Sequence, residues 1–490
     1  MKIGIDFGTS FSLPAVTYLD TNIVLLPSGK YGIPSVFYYD EWEGVLVGED
    51  AENAGQGEEA KNLKREIKLE LNTNFVADGR TFSAKQIVGY ILNNVKENAL
   101  AAAKAKLINE DIEGVVISVP AAFSHNEKEF IKQAAEISVA QGGPGLIVLG
   151  FIKEPVAAAL AYFKTSLADK TRILIYDLGG GTCDVAIVEA NSAINEKYTV
   201  VDSEMKRIGG KDWDARLEDY IRREVEKQCG LSMSNNPGYK EKIKRAAINA
   251  KHSLSEKIGE GYRNRVRARV EVNGKSYNVP INKELFNELT TGLLNQTLQM
   301  ASELVYKNNS NPVDKIVCVG GSSNMPQVME GIKRTFPGKD IQIYEPEKAI
   351  AIGAGIYAQF CDGKDSFLSD IASFSYGTDC YAASNKDKKI IVNLIKRGDR
   401  LPNSCSHGFS IRQASDKMYF RIYESSIGDA EYPFEKANKS FMTVVLEFGE
   451  TKPAGYSATL YMTLTPDGII EINADDRNGH TVKTTKQLNF

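Results

Sequence analysis

Residues 3 to 10, Ile-Gly-Ile-Asp-Phe-Gly-Thr-Ser, and residues 174 to 188, Leu-Ile-Tyr-Asp-Leu-Gly-Gly-Gly-Thr-Cys-Asp-Val-Ala-Ile-Val, repeat one chemical arrangement at two places in the chain. Each is an apolar run that reads as a strand, ends in an aspartate and breaks into a glycine turn carrying hydroxyls. Glycine lets backbone N–H groups close on phosphate oxygens without interference from Cβ. Asp6 and Asp177, at corresponding points of the two turns, can hold a hydrated divalent cation between them. Two such turns facing each other imply a nucleotide between two lobes. One alone would say little, because a glycine turn often only connects a hairpin. A third follows the apolar run Ile316 to Val319, where Gly320, Gly321, Ser322 and Ser323 lead to Met325 to Arg334, whose pattern predicts the start of a helix.

Those turns need a frame. Strand-like runs at Lys2 to Asp6, Val115 to Val119, Arg172 to Asp177, Val185 to Glu189 and Lys315 to Val319 are separated by helical patterns. In one of these, Ile87, Ile91, Val95 and Ala99 fall on a single face by their four-residue spacing. This predicts an α/β architecture with parallel strands that carry ligand loops at their carboxyl ends. From near Asp362 the pattern changes to short alternating strands, such as Thr459 to Thr465, a Pro466-Asp467-Gly468 turn and Ile469 to Ala474. That part predicts an all-β sandwich.

Composition is compatible with this and narrows it little. A chain of 490 residues, 42% hydrophobic and 25% charged, is ordinary globular material with room for about three domain-sized units. A net charge of −4 provides no general attraction to nucleic acid or to an anionic membrane. The chain opens on a strand without an apolar leader and carries no run of about eighteen apolar residues, so a cytoplasmic location is expected. Cys183, Cys229, Cys318, Cys361, Cys380 and Cys405 are scattered without a Cys-x-x-Cys pair and read as thiols in a reducing compartment. His125, His252, His407 and His480 show no ligand spacing, so any metal is expected to arrive with the nucleotide.

At this point the chain resembles the seventy-kilodalton heat-shock chaperones of DnaK type, within the actin-like ATPase superfamily. The resemblance rests on Gly4 to Ser10, Val116 to Ala121, Lys153 to Tyr162, Asp177 to Asp184, Gly209 to Asp214 and Val319 to Ser322, in the family's order. Actin and sugar kinases share the phosphate turns. The Glu-Pro-x-Ala-Ala-Ala-Leu-Ala-Tyr run and Gly-Gly-x-Asp-Trp-Asp point to the chaperone branch. The resemblance implies an actin-like two-lobe ATPase domain over residues 1 to 361, a linker at 362 to 370 and a β-sandwich over 371 to 490.

It also implies a site. Gly8, Thr9, Ser10 and Phe11 would hold one edge of the phosphates and Gly179, Gly180, Gly181 and Thr182 the other, with Asp6 and Asp177 on magnesium through water. Lys64, Glu154 and Asp184 take the family's catalytic positions. Gly209, Gly210, Lys251, Ser255, Gly320, Gly321, Ser322 and Asn324 would complete the nucleotide pocket for ATP or ADP, with K+ as a further candidate cation. In the adenosine part the sequence departs from the family. The acidic residue that receives a ribose hydroxyl falls on Ile248, His252 stands where arginine is frequent, and Asn324 replaces an arginine that stacks on adenine. The lost hydrogen bond and cation–π face are worth roughly 0.5 to 2 kcal/mol each.

The C-terminal part resembles the family's peptide-binding sandwich through Asn393 to Pro402 and Pro466 to Asp476. The matching peptide positions are Tyr381, Phe409, Met418 and Phe420, which would serve equally as sandwich core. The chain stops at Phe490, before the family's helical lid, and Ser366 to Ile371 keeps only part of its leucine-rich linker. The expectation is a chaperone-like protein that hydrolyses ATP slowly and binds extended apolar polypeptide, with co-chaperones as further partners. The alternative is a nucleotide-sensing scaffold whose sandwich docks one fixed protein partner. A small-molecule kinase would leave the sandwich without a role.

Overall fold

The computed structural model describes every residue except 28, 138–142, 166–169, 192–196, 259–260, 362–367, 370, 383, 466–468 and 488–490. The expected turn at 466–468 and most of the expected linker at 362–370 lie outside the described residues. The chain divides into two compact units, Met1–Ala193 with Ser203–Gly363, and Ile194–Asp202 with Lys364–Phe490.

The first unit contains two sheets of the same plan. One runs in the order Val148–Lys153, Gly114–Val119, Lys2–Phe7, Phe11–Tyr18, Thr21–Val24; the other contains Asp340–Ile343, Lys315–Val319, Lys170–Leu178 and Cys183–Asn191, in that order. In each, the aspartate-bearing strand pairs parallel on one side and antiparallel on the other. The sheets are therefore mixed, where sequence patterning predicts parallel strands. The reason is connection length. The glycine turns are too short for a crossover, which needs about a dozen residues, so each folds its strand back as a hairpin.

The central strands are apolar on both faces. Ile3, Ile5, Val115 and Ile117 are fully buried in the first sheet, as are Ile173, Leu174, Ile175 and Tyr176 in the second. Helices cover them. In Ala84–Ala105, Ser83 accepts from the Gln86 backbone N–H while the Gln86 side chain returns to the Ser83 N–H, which closes the first turn reciprocally. Ile87, Ile91, Val95 and Ala99 then line its buried face, as their spacing predicts.

The second unit holds a five-stranded antiparallel sheet, in the order Glu431–Pro433, Asn385–Ile395, Ser375–Ala382, Ser415–Ser425, Met442–Lys452, and a four-stranded one, Asn403–Ser410, Ser457–Leu464, Ile469–Asp475, Thr481–Gln487. Alternate residues of both, among them Phe420, Ile422, Leu446 and Phe448 from one and Leu460, Met462, Ile470 and Ile472 from the other, close on a single core. This is a β-sandwich. All six cysteines are free thiols. Among the described residues no helix is long and apolar enough to cross a membrane.

Candidate functional site

Four carboxyl groups gather at the strand ends of the first unit. Asp6 accepts a hydrogen bond from Ser118 Oγ at 2.9 Å, its register neighbour in the parallel strand. Asp177 and Asp184 stand opposite each other across the second hairpin. Asp184 Oδ1 also accepts from the Ala121 backbone N–H at 2.7 Å. Glu154 opens the helix Glu154–Thr165 and is buried, as are Asp177 and Asp184.

Lys68 reaches into this cluster. Lys68 Nζ donates to the Phe7 carbonyl at 2.5 Å and to Glu154 Oε1 at 2.6 Å, and only 4% of the residue is exposed. Its ammonium lies 5.7 Å from the Phe7 ring and 5.8 Å from the Phe123 ring. A single ammonium does not neutralise four carboxyl groups. Burial first, and then the Glu154 charge, push both Asp6 and Asp184 from the ordinary 3.8 up to about 7. Asp177 is driven well above the usual carboxylate range by burial and by Glu154, Asp184 and Asp6. Asp177 Oδ1 and Asp184 Oδ2 are buried without a hydrogen-bond partner. Uncompensated negative charge and orphaned acceptors in one place fit a hydrated divalent cation.

The turns meet above the carboxyl groups. A Cβ on Gly180 would lie 2.6 Å from Ser10 Oγ, and one on Gly181 would lie 2.7 Å from Thr9 Oγ1, so a side chain at either position would have to displace the facing hydroxyl. The Gly209–Gly210 turn joins them. Gly210 N–H donates to the Gly179 carbonyl and Lys211 N–H to that of Gly180, both at 2.9 Å. Ser322 Oγ reaches the same Gly179 carbonyl at 2.9 Å, which brings in the third turn. There Gly320 adopts a φ of 79° directly beside Asp177, a backbone conformation that disfavours a side chain.

A helix, Pro237–Ser255, supplies the remaining wall. Lys251 Nζ donates to Asp214 Oδ2 at 2.7 Å and to the Gly210 carbonyl at 3.2 Å, and Ser255 Oγ donates to the Lys251 carbonyl at 2.8 Å. Ile248 and Asn324 are half-buried, and Gly321 and Phe11 are exposed.

Most of the expected residues thus converge, with one displacement. Lys64 is ion-paired to Glu70 and does not join the carboxyl groups. The lysine that does is Lys68, four residues further on, in the 3₁₀ segment Ile67–Leu69. Its sequence signal was a lone lysine between Ile67 and Leu69, on a segment whose apolar neighbours must go inward. Patterning also missed Ser118 and the Ala121 N–H, whose roles arise only from pairing across the sheet.

In the sandwich, Met418 and Phe420 are 6% and 2% exposed and belong to the core. Strand alternation turns both inward, which is the core placement given above as the alternative to a peptide role. Phe409 packs on Phe420 with ring centroids 5.8 Å apart, and Tyr381 stands 44% exposed under the Arg412 guanidinium at 3.9 Å.

The chain matches the model of the Hsp70 protein family over residues 56–488 and belongs to that family. Its members are ATP-binding chaperones that use magnesium with ATP or ADP and bind unfolded polypeptide and co-chaperones.

Proposed function

We propose that the first unit is an actin-like ATPase that hydrolyses ATP slowly, and that the sandwich binds extended apolar polypeptide in a nucleotide-dependent way. The observation that carries this reading is the buried carboxyl cluster with Lys68 beneath two apposed glycine turns. A magnesium ion bound through water to Asp6 and Asp177 would supply charge neutralisation on the phosphates. The chain's own groups do the rest. Backbone N–H groups of residues 8–10 and 180–182 bind and orient the phosphates, while the Gly179 N–H closes its own turn on the Thr182 carbonyl. Lys68 offers a fixed positive charge to the transferring phosphoryl group. Glu154, held by Lys68, and Asp184, held by Ala121, are placed to orient water.

On the sandwich, Tyr381 and Phe409 are the aromatic groups left for peptide, with Met418 and Phe420 as the floor beneath Phe409. The test is one variant with two readouts. Asp177→Ala should retain its fold, lose magnesium-dependent ATP turnover, and bind a set of unrelated labelled apolar peptides equally with and without ATP, where the natural protein responds to ATP. Unchanged turnover in the variant would remove the site assignment; recognition of only one peptide would favour the fixed-partner scaffold.

A further inference from the structure

The strands Arg265–Val272 and Lys275–Asn282 form a separate two-stranded antiparallel ribbon. Strand alternation gives it two different faces. Ala268, Val270, Val272, Val279 and Ile281 are buried on one. The other carries Arg265, Arg267, Arg269 and Glu271, all exposed. Across the ribbon from them stand Asn282, Pro280, Asn278 and Ser276.

Arg269 Nε donates to Ser276 Oγ at 3.0 Å. Arg263, just before the row, is ion-paired to Glu256 at 2.8 Å. Among the described residues Arg265, Arg267 and Arg269 have no carboxylate partner, although the chain as a whole carries an excess of acidic residues. Residues two apart on a strand are separated by about 7 Å, and an extended peptide repeats its side chains at the same interval. Guanidinium groups in such a row can each meet one carboxylate through paired N–H donors.

We propose that this face docks an extended acidic segment of a partner polypeptide, with carboxylates at every second position and a basic residue opposite Glu271. A single-stranded nucleic acid has a comparable backbone repeat, but it gains much of its binding from bases stacked on aromatic rings. This face offers Ser276, Asn278, Pro280 and Asn282 instead, and Tyr277 belongs to the opposite parity. The net charge of −4 also opposes a long polyanion more than a short acidic strand.

Fluorescence anisotropy on the full chain tests this, with a labelled Glu-Thr-Glu-Thr-Glu-Thr-Lys peptide, its Gln-for-Glu counterpart and labelled oligothymidylate as probes. The Glu peptide should bind about tenfold or more tighter than the Gln peptide, the sum expected of three exposed charge pairs. That advantage should shrink as salt rises from about 0.05 M to about 0.5 M. The combined variant Arg265→Ser, Arg267→Ser and Arg269→Ser should abolish it while leaving melting temperature and ATP turnover unchanged. Equal binding of the Gln peptide, undiminished binding by the triple variant, or tighter binding of oligothymidylate overturns the proposal.

Discussion

In the proposed ATPase site, the chemistry turns on Lys68. Its ammonium meets Glu154 inside the buried carboxyl cluster, whereas Lys64 spends its charge on Glu70 near the surface. Lys68→Ala should lower single-turnover ATP hydrolysis by ~10²–10³-fold, the range for losing one preorganised charge at a reacting centre. Lys64→Ala should stay within about twofold, as befits a partly exposed pair. The reverse order would return the role to Lys64. The same cluster makes stability pH-dependent. Asp184 holds its proton more tightly folded than unfolded, with the value moved from 3.8 to about 7. Its contribution is therefore complete at acid pH and lost as pH rises through that window. In nucleotide-free protein, the melting temperature of Asp184→Asn minus that of the natural chain should grow as pH rises to about 7 and then level off. Parallel curves would show that Asp184 does not titrate there.

At the scale of elements, hairpin turns rather than helices bring the site together. The turns at residues 8–10 and 179–182 approach so closely that a methyl group on Gly181 would meet Thr9 Oγ1 at 2.7 Å and Leu69 Cδ1 at 3.0 Å. Gly181→Ala should force the turns apart, destabilise the first unit by about 1 to 3 kcal/mol as overpacking does, and weaken ATP binding. Adding Thr9→Ala removes the hydroxyl that collides and should restore part of the stability in a double-mutant cycle. Strict additivity of the two changes would mean that the turns do not press on each other. Much of this was readable beforehand. Glycine, aspartate and hydroxyl spacing located both turns, because local chemistry and backbone freedom are properties of a few adjacent residues. The antiparallel return of each strand followed from turn length once the turns proved to be tight hairpins.

At the scale of the whole molecule, the proposed nucleotide pocket draws on residues from position 6 to position 324. The adenosine end shows how far substitution has gone. Arg245 is held by Glu241 at 2.9 Å and by the Glu52 carbonyl, and Lys251 by Asp214 at 2.7 Å, so both are already engaged by neighbours. Neither is free to take the place of the acidic and guanidinium groups that the resemblance leads one to expect at Ile248 and Asn324. On the proposed reading the phosphate turns would carry most of the affinity, and ATP should be little preferred over GTP. Calorimetric titration of Ile248→Glu with Asn324→Arg should show at least about a threefold gain in ATP affinity and a wider margin over GTP. A smaller gain would show that the pocket holds the base by other means.

The sequence by itself determined what depends on neighbours along the chain. The glycine turns, the amphipathic face of Ile87, Ile91, Val95 and Ala99, the passage from α/β patterning to alternating strands and membership of the Hsp70 family were all legible there. Local spacing sets each of them. Tertiary structure alone decided which lysine meets the carboxyl groups, because the 3₁₀ turn at Ile67–Leu69 carries Lys68 inward while Lys64, on the short strand Leu63–Lys64, pairs with Glu70. It alone decided that Met418 and Phe420 fill the sandwich core while Tyr381 stays outside. The unpaired acceptors of Asp177 and Asp184 belong to the same class. Burial and charge pairing are sums over residues far apart in sequence, and those sums exist only once the sheets have closed on each other.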